Sequence, residues 1–182
     1  VPALVLLFLL LSPAVQGADV ISLEVEQEDG NYRVSMDAVL AAPMPAVWQR
    51  LTDYPQLKVL SPSVSESDVL AELGPTRHRV RTKSRLCVFI FCGDIVQVQV
   101  MTQAAVGVLQ AMVEPEDSDF EQGRLEWRLM AQQGATRLMF NAELRPDFIV
   151  PPLIGPWAIK RVLREEALVV VTGLERLAGE GQ

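Results

Sequence analysis

His78 is the single histidine of the 182-residue chain, so any serine–histidine relay or histidine base must use it. It stands at a strand start between Arg77 and Arg79, and no GxSxG, GxGxxG or HExxH pattern accompanies it. It therefore reads as a strand-end residue, and no catalytic residue is assigned. Tyr32 and Tyr54 could each offer a phenolic hydroxyl, or simply pack. Glu166 falls at the edge of an apolar helical stripe, beside Ile159 and Leu177. There a carboxylate could orient a ligand hydroxyl, act as an acid, or reach solvent and pair with an arginine.

The two cysteines, Cys87 and Cys92, are an even number, as oxidising compartments favour. Along one straight strand their Cα atoms would stand about 16 Å apart, beyond the roughly 7 Å limit for a disulfide. A bond therefore requires Val88 to Phe91 to fold the chain back. The other reading is two buried thiols, and the disulfide is the favoured of the two. This spacing, with one distant histidine, makes no metal site. The acidic run Glu114 to Asp119 lacks the glycine and terminal glutamate of a calcium loop and reads as a solvated turn. Arg79, Arg81, Lys83 and Arg85 alternate along one strand and read as an outer face paired with acids of neighbouring strands.

Composition narrows the partners. Sixteen basic residues against 23 acidic ones give a formal charge of −7, which argues against nucleic acid. The first 18 residues include 13 apolar and no charged side chains. Ala3 to Leu11 is too short to span a bilayer, and it is followed by Ser12, Pro13 and small residues. Residues 1–18 therefore read as a secretory signal peptide cleaved near Ala18, and the protein as secreted or periplasmic. Residues 19–182 read as one domain.

Two periodicities organise that domain. Val20 to Gln27 alternates, Asp29-Gly30 marks a tight hairpin, and Tyr32 to Leu40 returns with Tyr32, Val34, Met36, Ala38 and Leu40 on one face. Ala42-Pro43-Met44-Pro45 ends the strand and opens a short helix through Val47, Trp48 and Leu51. From Val64 to Leu144 the period is two again, with His78, Val80, Thr82, Ser84 and Leu86 sharing a face. Val96, Val98 and Val100 alternate with Gln97, Gln99 and Met101. Leu125, Trp127 and Leu129 oppose Arg124, Glu126 and Arg128, and Gln133-Gly134 turns the chain toward Leu138, Phe140 and Ala142. Such one-sided patterns with hairpin turns predict an antiparallel sheet. From Trp157 to Ala178 the period becomes 3.6, with Ile159, Leu163, Ala167, Val170, Leu174 and Leu177 in one stripe and Arg161, Arg164, Glu165, Glu175 and Arg176 opposite.

The segment Ala42-Pro43-Met44-Pro45-Ala46-Val47-Trp48-Gln49-Arg50-Leu51-Thr52-Asp53-Tyr54-Pro55 resembles the START-like superfamily. That group includes polyketide cyclase/dehydrase domains, coenzyme-Q-binding START domains and birch-pollen-allergen-like proteins. The likeness continues at Leu60-Ser61-Pro62-Ser63-Val64 and in the element order, from Tyr32 to Ala178. It implies an α+β helix-grip fold: a curved antiparallel sheet wrapped around a long C-terminal helix, with two short helices after the first strands. It further implies a cavity for a hydrophobic small molecule or lipid, without a cofactor. A cyclase/aromatase acting on a polyketide-like substrate, or a ligand-free interaction module, are the alternatives.

On this reading Trp48, Val98, Trp127, Phe140, Ile159, Leu163 and Val170 line the cavity or its core, and Tyr54, Thr82, Ser84 and Glu166 orient the ligand. Two apolar segments, Phe89 with Phe91 and Phe148 with Ile149 and Leu153, are expected to form a mouth that can touch a membrane surface. The oligomeric state is not legible.

Overall fold

The computed structural model describes residues 17–88, 91–148 and 155–180. Eight strands follow one another as β1 (Asp19–Glu28), β2 (Asn31–Leu40), β3 (Val64–Glu72), β4 (Arg77–Val88), β5 (Phe91–Ala105), β6 (Val108–Val113), β7 (Phe120–Gln132) and β8 (Ala135–Pro146). Between β2 and β3 lie the helix α1 (Met44–Thr52) and a 3-10 helix (Tyr54–Val59), and the chain closes with α2 (Pro156–Gly179). The expected 3.6-residue segment is thus one helix of 24 residues.

The strands form one antiparallel sheet in the order β1-β2-β8-β7-β6-β5-β4-β3. After β2 the two short helices carry the chain to the far edge. Five hairpin steps then bring it back until β8 pairs with β2. The Asp29-Gly30 and Gln133-Gly134 corners have positive φ at both residues (49° and 82°, 30° and 86°), the backbone that two-residue hairpins need. Register shifts at Val20/Ser22, Val64/Glu66, Val69/Ala71, Gln103/Ala105 and Phe120/Gln122 are the bulges by which such sheets bend.

The main core lies on the concave face. Val34, Met36, Ala38 and Leu40 of β2 pair laterally with Ala142, Phe140, Leu138 and Thr136 of β8. Leu125, Trp127 and Leu129 of β7 continue the same layer. Val171, Leu174 and Ala178 of α2 and Val47 and Leu51 of α1 cover it at one end. The Thr136 hydroxyl donates to the Ala42 carbonyl (2.6 Å), so a buried polar group there is satisfied.

α2 crosses the sheet unevenly. Its close backbone approaches are to β1 and β2 on one side, β4 on the other, and α1 at its C-terminal end. The intervening strands β8, β7, β6 and β5 bridge beneath it. Gly173 is where the 3-10 segment meets the helix: a Cβ there would sit 2.3 Å from the Leu60 carbonyl oxygen.

One helical residue departs from the sequence pattern. Glu175, expected on the solvent side, is buried, and its carboxylate accepts the Ala41 backbone N–H (2.6 Å). The exposed end of β2 would otherwise leave that N–H unpaired.

Candidate ligand-binding site

The concave wall is apolar on one side and polar on the other. On the β2–β8–β7 side, the Trp127 and Phe140 rings lie 5.1 Å apart, paired across the ladder, and both are only half-buried although they face inward. Trp48 of α1 and Leu163 and Val170 of α2 are half-buried too and pack against the same core. Ile159, a turn before Leu163, is likewise half-buried. Inward-facing aromatics that keep part of their surface accessible leave apolar area on this wall that the described side chains do not cover.

The polar side is set by the β4–β5 register. Cys87 opposes Cys92, and the same ladder places Ser84 opposite Ile95, Thr82 opposite Gln97, Val80 opposite Gln99 and His78 opposite Met101. Residues paired across a ladder share a face. Val80 and Met101 belong to the concave core, so Thr82, Ser84, Gln97 and Gln99 face inward with them. The inner wall of β5 is therefore its glutamine side, not the apolar set expected from composition. Gln97 Nε2 donates to Gln99 Oε1 (2.9 Å).

Val98, expected to line the interior, lies on the convex face opposite Arg81. It is buried there because the acidic segment folds back over β5. Glu114 N–H donates to the Val98 carbonyl (2.8 Å), and the Ser118 hydroxyl accepts from Val98 N–H (2.8 Å). The Asp119 carboxylate accepts from Val96 N–H (2.7 Å). Glu114 and Asp117 both hold Arg79. The expected solvated turn is thus a strap that pairs the edge of β5 where the short β6 ends. The other cations of the stripe are matched across strands, Arg81 with Glu66 (2.7 Å) and Lys83 with Asp94 (3.1 Å).

Tyr54 and His78 form a deeper polar spot. Their ring centroids are 5.1 Å apart, and Gln103 Nε2 donates to the Tyr54 hydroxyl at 3.5 Å. Burial pushes the Tyr54 phenol up, with the Gln103 hydrogen bond opposing, so it is a neutral hydroxyl at any physiological pH. The Ser67 hydroxyl donates to the Tyr54 carbonyl (2.5 Å) and fixes the 3-10 segment on β3. His78 Nδ1 is buried without a partner.

Glu166 has a partner from the opposite wall: the Ser63 hydroxyl donates to it at 2.6 Å and lies 2.9 Å from the Ser61 hydroxyl. This link ties the middle of α2 to the start of β3.

Of the expected mouth residues, the Phe91 backbone and Phe148 fall at one end of the sheet. Cys87 and Cys92 form a disulfide across the β4–β5 ladder, next to the Val88–Phe91 backbone pair. Phe148, 42% exposed, follows β8 and meets Phe120 edge-on at 6.5 Å. Hydrogen bonds connect the two places, Asp147 N–H to the Asp119 carbonyl (3.0 Å) and Asp119 N–H to the Val96 carbonyl (2.9 Å). Phe89, Ile149 and Leu153 lie outside the described residues, and of Phe91 only the backbone is described.

A concavity of about 500 Å³ lies on the outer side of α2 between Lys58, Val59, Leu60 and Pro62 and the helix residues Leu168, Val169, Thr172, Gly173 and Arg176. Nothing in the sequence pattern pointed to it. It is separated from the concave wall by the Leu60–Gly173 contact.

A bent antiparallel sheet holding one C-terminal helix over a partly open inner wall defines a helix-grip, START-like protein. The chain belongs to the family described as polyketide cyclase / dehydrase and lipid transport, whose model matches residues 40–167. No curated protein sequence matches it significantly. The fold is similar to that of a START superfamily protein from Mycobacterium smegmatis (TM-score 0.67, 16% identity, 82% of this chain and 99% of that one). It is also similar to the Zhui aromatase/cyclase from Streptomyces sp. R1128 (TM-score 0.67, 14% identity, 82% and 94%). A STAR-related lipid transfer protein from Xanthomonas axonopodis superposes with TM-score 0.62 at 13% identity (86% and 98%).

Proposed function

We propose that this protein binds, and by extension carries, a hydrophobic small molecule or lipid in the space between the concave sheet face and α2. The observation that carries this reading is the arch: α2 approaches β1 and β2 at one side and β4 at the other, above four central strands whose inward aromatics stay partly accessible. Affinity would come mainly from apolar ligand surface leaving water, at about 25 cal/mol per Å² before ordering costs. The similarity to a lipid transfer protein supports the reading through the fold, as the aromatase/cyclase does for the enzymatic alternative. The apolar run before Gly17 and the disulfide together support an exported protein.

Mass spectrometry of an organic extract of the protein purified from its native host tests the binding reading directly. A co-purifying apolar compound in near-stoichiometric amount is the expected result, and an empty extract with no uptake of N-phenyl-1-naphthylamine by the purified protein would overturn it.

A cyclase-type enzyme is favoured by one observation, the unpartnered His78 Nδ1 against the Tyr54 ring. Loss of turnover of a polyketide-like substrate in His78→Ala, with ligand uptake retained, would support that second reading.

A further inference from the structure

We infer that the ligand is an uncharged amphiphile, an apolar body bearing a hydroxyl or carbonyl group, and that this group seats on Thr82, Ser84, Gln97 and Gln99. The inference rests on the binding reading above and names the ligand class for that site.

Four groups from two adjacent strands meet on the concave face by the β4–β5 ladder. Among the described residues, the Thr82 and Ser84 hydroxyls make no hydrogen bond within the protein. The Gln97–Gln99 bond uses one amide donor and one acceptor, leaving the Gln97 carbonyl oxygen and the Gln99 amide N–H groups unpaired. Gln99 is 6% exposed, and Thr82, Ser84 and Gln97 are half-buried. Polar groups withdrawn from bulk water in this way normally find partners. Here they present both donors and acceptors toward the interior, which suits a hydroxyl or a carbonyl.

The charges around this patch argue against an anion. Every cation of β4 beyond His78 lies on the opposite face, where Arg79, Arg81, Lys83 and Arg85 meet Glu114, Asp117, Glu66 and Asp94. On α2 the Glu166 carboxylate is held by Ser63 and the buried Glu175 carboxylate by the Ala41 N–H. Arg164 is bonded to the Leu23 carbonyl of β1. A carboxylate or phosphate seated on the patch would thus lose water without gaining a counter-charge from the arginines and lysine of β4, and would face an existing carboxylate. Across the sheet, Trp127, Phe140 and Met36 supply carbon surface for the rest of the molecule.

The test uses the full chain and the neutral fluorophore N-phenyl-1-naphthylamine, displaced by 1-decanol, 2-decanone, decanoate and decyl phosphate at pH 7. The alcohol and the ketone should displace the probe at about tenfold lower concentration than either anion. In a Thr82→Val/Ser84→Ala variant, referenced to its own probe affinity, the preference for the alcohol should shrink by about tenfold, roughly two neutral hydrogen bonds. A protein that binds the probe but takes decanoate or decyl phosphate as well as decanol, or a variant with an undiminished preference, would overturn this inference while leaving the cavity intact. A protein that takes up no probe would overturn the cavity reading, and this inference with it.

Discussion

Cys87 and Cys92 stand directly opposite each other and are bonded at a point where, among the described residues, β4 and β5 pair only with each other. The neighbour β3 pairs with β4 only as far as Ser84, with one further bond from Arg85 N–H to the Ser63 carbonyl (2.7 Å). On the other side β6 stops at Gln99, and the acidic strap extends support only to Val96. Leu86 to Val88 and Phe91 to Gly93 thus form a two-stranded ribbon with no third strand among the described residues, an arrangement that is marginal in water without a staple. Replacing both cysteines by alanine should cost about 2 kcal/mol from loop-closure entropy alone. It should also open a protease site in this ribbon before global unfolding. Equal urea midpoints and equal digestion patterns for the two proteins would refute the role of the bond.

The ribbon and Phe148 share one end of the sheet, and we propose that this end touches a bilayer surface. Phe89→Ser/Phe91→Ser, and separately Phe148→Ser, should lower co-sedimentation with phosphatidylcholine vesicles several-fold without altering the folded-state circular dichroism spectrum. Neutral vesicles are the right probe because a chain of charge −7 is repelled by anionic ones. Unchanged sedimentation would remove the membrane contact.

Gly173 offers a sharper packing test. Alanine is ordinarily the better helix residue by nearly 1 kcal/mol. At this position its methyl would collide with the Leu60 carbonyl oxygen, a backbone atom that cannot swing aside. Gly173→Ala should therefore destabilise by about 1–3 kcal/mol and lower Tm by several degrees. A variant as stable as the parent would show that the 3-10 segment is not held against α2.

Glu175 anchors the other end of that helix to the β2–α1 connection through the Ala41 N–H. Glu175→Ala removes the acceptor of a part-buried, charge-assisted hydrogen bond and should cost about 1–2 kcal/mol. Glu175→Gln keeps an acceptor oxygen and should cost about half as much. Both substitutions behaving alike would mean that the hydrogen bond does not matter and only the side-chain volume does.

The Arg137 guanidinium, bonded to both Asp37 oxygens (2.9 and 2.6 Å), holds the Asp37 carboxyl below the usual carboxylate range. The folded protein therefore gives up this proton at a lower pH than the unfolded chain does. Its contribution is complete above about pH 5 and disappears as pH falls through about 4 toward the folded value. Asp37→Asn should accordingly narrow the gap between the urea midpoints measured at pH 7 and pH 3. An unchanged gap would refute the linkage.

Much of the architecture was legible in the chain because it rests on local rules. Asp29-Gly30 and Gln133-Gly134 can supply the positive φ values that tight hairpins demand. The stripe from Ile159 to Leu177 can be buried only as a helix, and all of its members are at least half-buried. The element order then leaves few topologies, and the helix-grip is among them.

Which side of a strand faces the ligand is not a local property. Alternation along β5 shows that its valine and glutamine faces differ, and hydrophobicity alone would turn the valines inward. The cross-strand pairing of Cys87 with Cys92 carries down the ladder to Thr82–Gln97 and Val80–Gln99, and it turns the glutamines inward instead. Val98 is nonetheless buried, because a segment some twenty residues later folds over it. Glu175 follows the same logic, since the Ala41 N–H that it satisfies belongs to a loop 134 positions away. The sequence by itself determined the elements and their periodicities, since those follow from backbone sterics and nearest neighbours. The tertiary structure decided the polarity of the inner wall, because pairing register and the coverage of each face arise only when distant segments meet.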